Sequence, residues 1–231
     1  MATLIDIIGG IFIGGFLLLI ALSATDTATT EFFNYNSDAI MQQNLAKTSK
    51  IIQYDLRKMG YGIPEAAQDS ILNVATGNRL KFLAHLNSDP DARVDIAAVT
   101  AIDNIVDTIE YVALPFDSVN YYDTTITTYR VQRTLKISPN YRHTMMVGVI
   151  GNQRVFRYLN QIGDETAYIP ATRMVEVTLT AFDPRVFLSR DWVDSKLTNP
   201  SDVELRKKEL RRLLRASYWR QTRLISRNLS R

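Results

Sequence analysis

Residues Leu4 to Ala24 form an apolar run of 21 residues in which Asp6 is the one ionisable side chain. At the helical rise such a run spans about 30 Å, the thickness of a bilayer's hydrocarbon core. A segment of this kind is satisfied only in lipid or among like helices. A carboxylate inside it costs roughly 2.5–3.5 kcal/mol at the helix centre and less near an end. Asp6 therefore either lies at the interface and is tolerated, or it answers a positive charge on a neighbouring chain. The run also contains Gly10 and Gly14 at a four-residue spacing, with Gly9 and Gly15 beside them. Glycines so spaced let helix backbones approach closely in an apolar medium, which favours packing against sister helices over simple flexibility. No Lys or Arg precedes Lys47, so flanking charge does not set an orientation. The run lacks the basic start of a secretory signal and is long for its apolar core.

Behind the apolar run, Thr25-Asp26-Thr27-Ala28-Thr29-Thr30 is polar and β-branched, a composition that predicts local unwinding or a bend. Helical periodicity then returns. Met41, Leu45, Ile52, Leu56 and Met59 share one stripe, predicting an amphipathic helix closed by Gly60, Gly62 and Pro64. That stripe requires a sheet to pack on. Alternation predicts strands at Arg79–Leu86 after the Gly77-Asn78 turn pair, at Asp107–Leu114 ending at Pro115, and at Thr127–Leu135, Arg154–Leu159 and Arg173–Phe182. The gaps are short enough for antiparallel meander pairing. Ile96–Val106 is apolar but irregular.

From Ser201 the chain turns basic. Ser201 with Glu204 three residues on predicts a capping box, and Leu205, Leu210, Leu213, Leu214 and Tyr218 an apolar face. Arg206, Lys207, Lys208, Arg211, Arg212 and Arg215 cover the remainder, and a final strand is expected from Trp219 to Ile225. Four readings of this basic surface stand: a solvated face, a contact with acidic surfaces of neighbouring subunits, a contact with anionic lipid headgroups, and a nucleic-acid contact. The acidic stretch bearing Asp26, Glu31 and Asp38 is a candidate for the second. Nucleic acid is the least supported, since no recognisable binding module accompanies the arginines.

The formal charge of +3 conceals an uneven layout: residues 1–46 carry four acids and no Lys or Arg, whereas residues 203–231 carry ten bases and two acids. Cysteine is absent, which excludes disulfides, thiolate metal sites and cysteine nucleophiles. Asp89, Asp91 and Asp95 cluster, but Val94 and Thr100 occupy the places where a calcium-binding EF-hand loop needs Gly and Glu, so a turn is the better reading. With only His85 and His143, and no nucleophile elbow or phosphate-cradling loop, the chain is not expected to be an enzyme or to hold a metal or cofactor.

Ala2-Thr3-Leu4-Ile5-Asp6-Ile7-Ile8 resembles the mature start of type IV pilins and pseudopilins. With Met1 removed, Asp6 becomes the fifth residue, the place of that family's acidic residue, although Asp is one methylene shorter than the usual Glu. The family's basic leader ending in Gly does not precede Ala2. The resemblance therefore implies either a chain already trimmed or exposure of the Ala2 amine by ordinary methionine removal. Asp55-Leu56-Arg57-Lys58-Met59-Gly60-Tyr61 is similar to the helix end of minor pilins of W type and pseudopilins of J type. Gly148-Val149, Val155-Phe156-Arg157-Tyr158-Leu159, Gly163 and Met174–Leu179 resemble the strand series of the same domains.

The resemblance implies a structural subunit that assembles through its N-terminal helix into a filament or pseudopilus. Asp6 would pair with the Ala2 amine of a neighbour, and Gly10 and Gly14 would admit close helix packing. The implied partners are other pilin-like subunits, the inner membrane before assembly, and assembly-platform proteins. The implied placement is single-pass with the domain outside the cytoplasm, then a periplasmic or extracellular filament. A membrane-tethered periplasmic binding or scaffold protein that never polymerises is the alternative. The expected fold class is α+β: a transmembrane helix over residues 1–24 and a stalk helix over 25–62, packed on an antiparallel β domain over 63–200. A basic C-terminal helix over 201–231 completes it.

Overall fold

The computed structural model describes residues 2–86, 106–121, 124–137, 142–183, 193–194, 197, 202–215 and 218–225. The calcium-loop aspartates Asp89, Asp91 and Asp95, most of Ile96–Val106, and Ser201 lie outside these residues. The fold is α+β, as the periodicities predict. Two compact units divide the chain, Met1–Ile40 and Met41–Arg231.

Helix α1 runs from Ala2 to Leu56 without interruption. The unwinding expected at Thr25–Thr30 does not occur, because the hydroxyls bond within the helix. Thr25, Thr27 and Thr29 donate through Oγ1 to the carbonyls of Ala21, Ser23 and Thr25 at 2.8, 2.9 and 2.8 Å. Each threonine thereby places its polar group on the helix's own backbone, a geometry open to Ser and Thr that propensity alone does not reveal. In the first unit the large apolar side chains from Ile7 to Phe33 are exposed.

In the second unit the predicted stripe is buried: Leu45, Ile52, Leu56 and Met59 enter the core and Met41 packs against it. The helix ends at Leu56, before the predicted glycine stop, and the chain reaches Gly60 through turns in which Lys58 and Met59 N–H donate to Asp55 O and Leu56 O. Gly60 and Gly62 both take φ of 71°, a conformation glycine adopts without penalty. A Cβ on Gly62 would stand 2.9 Å from that of His85. The emerging chain is pinned along residues 83–85, Gly60 N–H donating to Leu83 O and His85 N–H to Tyr61 O.

Five strands form an antiparallel meander in chain order: β1 (Leu72–Thr76), β2 (Arg79–Ala84), β3 (Asp107–Tyr121), β4 (Thr124–Lys136) and β5 (Arg142–Ile150). Strands β1 and β5 escape the sequence reading. The former is short, and the latter carries a polar, weakly alternating start. Pro115 does not end β3. It pairs with Tyr129 and is followed by a register shift that leaves Phe116 exposed, and the ladder resumes at Asp117. A residue without an N–H is tolerated at such a bulge.

A second antiparallel sheet has the order β6 (Phe156–Leu159), β7 (Met174–Ala181), β8 (Tyr218–Ile225), the last being the expected final strand. Gly77 at the β1–β2 turn joins the two sheets, its carbonyl accepting from Val155 and Phe156 N–H at 2.7 and 2.9 Å. Tyr158 Oη donates to the carbonyls of Thr76 and Arg79 beside it. One apolar core unites Ile52, Leu56 and Met59 with Phe82, Ile109, Val131 and Leu135 of the first sheet and Val175 and Val177 of the second.

Helix α2 (Val203–Arg215) is capped by Asp202, whose carboxylate accepts from the N–H groups of Glu204 and Leu205 at 3.0 and 3.1 Å. The predicted cap falls one residue too early. A second apolar cluster seats α2: Leu210 meets Tyr121, Ile126, Val193 and Leu197 at the far end of the β3–β4 hairpin.

Candidate functional site

Three surfaces carry chemistry, and the most constrained is buried. Tyr111 on β3 and Arg133 on β4 stand directly opposite each other across the ladder. Both face the last turn of α1, where Asp55 has no exposed surface. Arg133 grips the carboxylate with two bonds, Nε to Oδ2 at 2.6 Å and Nη2 to Oδ1 at 3.2 Å, and Tyr111 Oη donates to the same Oδ2. Arg133 Nη1 is buried without a hydrogen-bond partner among the described residues.

Burial, then the charge of Asp55, pushes the Tyr111 hydroxyl well above the ordinary tyrosine range. Desolvation opposes the charge on Arg133, but the bonds to Asp55 outweigh it and raise its pKa. The network is thus one anion, one cation and one neutral phenol. Nearby, burial lowers the pKa of Lys58 against the pull of Asp55, and its ammonium lies 4.4 Å from the centre of the Tyr54 ring. This constellation fixes where the helix end sits on the sheet.

Sequence reasoning singled out Asp55 only within a resemblance and passed over Tyr111 and Arg133. A signal was present. Asp55 interrupts the apolar stripe between Ile52 and Met59, and Arg133 stands in the apolar phase of β4 between Val131 and Leu135. Two ionisable residues in buried phase, of opposite sign, are each other's natural partners.

A smaller charged row crosses the second sheet. Arg157 on β6 donates from Nη1 to Glu176 on β7 at 2.8 Å and from Nε to Glu165 at 3.3 Å, and Arg154 pairs with Glu165. Glu176 is fully buried. Carboxylate bonds raise the Arg157 pKa.

The second surface is the N-terminal part of α1. It contains a stretch long and apolar enough to cross a membrane, with a mean hydropathy of 2.5 over eighteen residues and none of it buried. Ala2 and Asp6 lie on the helix, and their side chains fall outside the described residues. Around Gly9, Gly10, Gly14 and Gly15 an added Cβ would meet nothing within 4 Å.

The third surface is α2. Leu210 and Arg206, one turn apart, form its inward side. Lys208, Arg211 and Arg212 are exposed, and Lys207 is half-buried 3.9 Å from Glu204. Leu205, expected on the apolar face, is exposed, and Arg206, expected at the surface, is buried. The reason is angular: residues 206 and 210 lie within about 40° of each other, and residue 205 stands about 100° away from 206. The side chain of Arg215 lies outside the described residues.

His85 is buried just past the end of β2, and His143 lies on β5; neither Nδ1 has a partner among the described residues. Compared with family models, with curated proteins and with solved structures, the chain matches none.

Proposed function

We propose that this chain is a structural subunit of a type IV pilus-like filament or pseudopilus, held by its N-terminal helix first in a membrane and then among sister helices. The observation that carries the reading is the exposure of that helix. Ile11, Phe12, Ile13, Phe16 and Leu19 each expose 62–69% of their surface. An apolar surface of this extent requires lipid or other apolar helices around it.

The composition of the helix fits both environments in turn. Its glycines leave open space for a neighbouring backbone. Asp6 answers the Ala2 amine of a neighbour once Met1 is gone, a pairing strong in a low-dielectric core and costly to leave half-made. The β domain then stands outside the cytoplasm as the exposed part of the subunit. Its work is mechanical and interfacial, not catalytic. Partners under this reading are further pilin-like subunits and the platform that extracts them.

Asp6→Asn tests it. The variant inserts into membranes as the wild type does. Its recovery in sheared filaments, followed by electron microscopy and mass spectrometry of the N-terminus, falls by roughly a hundredfold or more, the factor that a loss of about 3 kcal/mol gives. Wild-type assembly by the variant removes Asp6 from the mechanism. A chain found only as discrete membrane particles with Met1 retained replaces the filament reading with that of a tethered scaffold.

A further inference from the structure

The geometry points to the outward face of α2 as the docking surface for the acidic stretch of α1 on a second copy of this chain. The inference rests on the self-association proposed above and names the contact that sets its register.

Seating of α2 through Leu210 and Arg206 turns Lys208, Arg211 and Arg212 to the opposite side, and Arg215 falls on that same side by position. Leu205 and one carboxylate, Glu209, join Lys208, Arg211 and Arg212 along a shallow cleft there, leaving it with three cations to one anion. Among the described residues, none of Lys208, Arg211 and Arg212 has an ion-pair partner, and neither do Asp26, Glu31 and Asp38. Three exposed cations thus stand on one element, and on another two exposed anions, Asp26 and Glu31, with a third, Asp38, half-buried.

No base occurs in residues 1–46, so the acidic stretch has no means of neutralising itself. Spacing agrees with sign. Glu31 and Asp38 are seven residues apart, as are Lys208 and Arg215, two helical turns or about 10.5 Å in each case. Phe32, Phe33 and Tyr35 are exposed beside the anions, and Leu205 beside the cations, giving both faces apolar contact area to accompany the charges.

Two different patches of one chain that complement each other make a heterologous contact, which propagates as an open polymer unless its rotation closes a ring. Exposed ion pairs are individually weak and screened by salt, so their contribution is choice of partner and register, while the apolar helix supplies affinity. A phosphate-bearing lipid or nucleic acid offers the same anionic chemistry to α2, but it offers nothing to Asp26, Glu31 and Asp38. That asymmetry makes the test decisive.

Three full-length variants are compared with the wild type at two salt concentrations: Lys208→Glu/Arg211→Glu/Arg212→Glu, Asp26→Lys/Glu31→Lys/Asp38→Lys, and the two sets combined. Circular dichroism checks the fold of each, and Ser23→Cys, at an exposed position of α1, reports helix-to-helix contact in each chain through a thiol crosslinker, a clean probe because cysteine is otherwise absent. Each single set lowers the assembled fraction by roughly tenfold at low salt, and the combined set restores it. Recovery by the combined set supports the proposal, since a reversed α2 binds neither anionic lipid nor nucleic acid.

If both single sets assemble at the wild-type level while Ser23→Cys crosslinks persist, the proposal is overturned and the filament reading stands. If the α2 set loses phosphatidylglycerol-vesicle or DNA binding and the combined set rescues nothing, the face belongs to that anion and the proposal is again overturned. Absence of filaments from the wild type and of crosslinks from its Ser23→Cys variant overturns the filament reading and this contact together.

Discussion

At Asp55 a fully buried carboxylate receives donors from two strands, Tyr111 Oη from β3 and two nitrogens of Arg133 from β4. The energetics of such a site are asymmetric. The intact network roughly offsets its own desolvation, whereas loss of one member strands the others in a medium that does not solvate them. Asp55→Asn is therefore expected to cost about 3–5 kcal/mol of folding stability by leaving Arg133 uncompensated. Denaturant melts of the detergent-solubilised chain measure this, and a loss below about 1 kcal/mol would contradict the account. Replacing all three together by Leu, Met and Phe should recover most of the loss. That result would assign the network to register rather than to net stability. At this scale the sequence displayed the clue without the partner: Asp55 breaks an apolar stripe and Arg133 an apolar strand phase, but only the folded chain brings residues 78 positions apart to 2.6 Å.

Between elements, α1 lies close against β5 at Gly148. A Cβ on Gly148 would overlap Thr48 Oγ1 and come to 3.3 Å from Asn44 Oδ1, while Thr48 Oγ1 itself donates to Val147 O at 3.3 Å. Glycine is there because the helix lies directly on the strand. Gly148→Val is expected to destabilise by about 1–3 kcal/mol through overpacking, with Thr48→Ala in the same chain returning part of it. Thermal melts of the single and double variants check this; an unchanged melting temperature for Gly148→Val would show that the helix can lift without cost.

The elements that periodicity predicted best are those with one wet and one dry side. In β3, Asp107, Ile109, Tyr111 and Ala113 alternate inward, as a half-buried strand should. The elements it missed or misjudged depend on something non-local. Strand β1 is read only once the Gly77-Asn78 turn has a partner to fold back. Likewise, the course of β3 beyond Pro115 depends on the ladder that β4 supplies.

For the molecule as a whole, stability depends on pH through buried tyrosines on both sheets. Burial raises the pKa of Tyr158, as burial and Asp55 raise that of Tyr111. Both phenols are protonated in either state below about pH 10, the unfolded value, so their contribution is constant there. Above it the unfolded chain releases protons that the native chain retains, and stability falls as pH rises, by up to about 1.4 kcal/mol per pH unit for each tyrosine. Lys58 acts in the opposite sense. Its lowered pKa makes stability rise with pH between its native value and about 10.5. Urea melts at pH 9 and pH 11 should show the wild type losing more stability than Tyr111→Phe over that interval. Equal losses would remove Tyr111 from the alkaline transition.

By itself the sequence determined the parts whose solvent is decided locally. These are an apolar helix with one ionisable side chain, Asp6, an amphipathic helix needing one dry face, alternating strands, glycine turns at Gly60 and Gly62, and a segregation of acids from bases along the chain. Periodicity and composition encode these because each residue's preference for water or for apolar surroundings is its own. Tertiary structure decided what depends on a partner distant in sequence. It chose the division of the described strands into two sheets, the burial of Asp55 with Arg133, the fit of Gly148 beneath Thr48, and which side of α2 faces outward. The last follows from one leucine joining the cluster of Tyr121 and Ile126, a contact that no local pattern records, and it selects the basic residues left exposed.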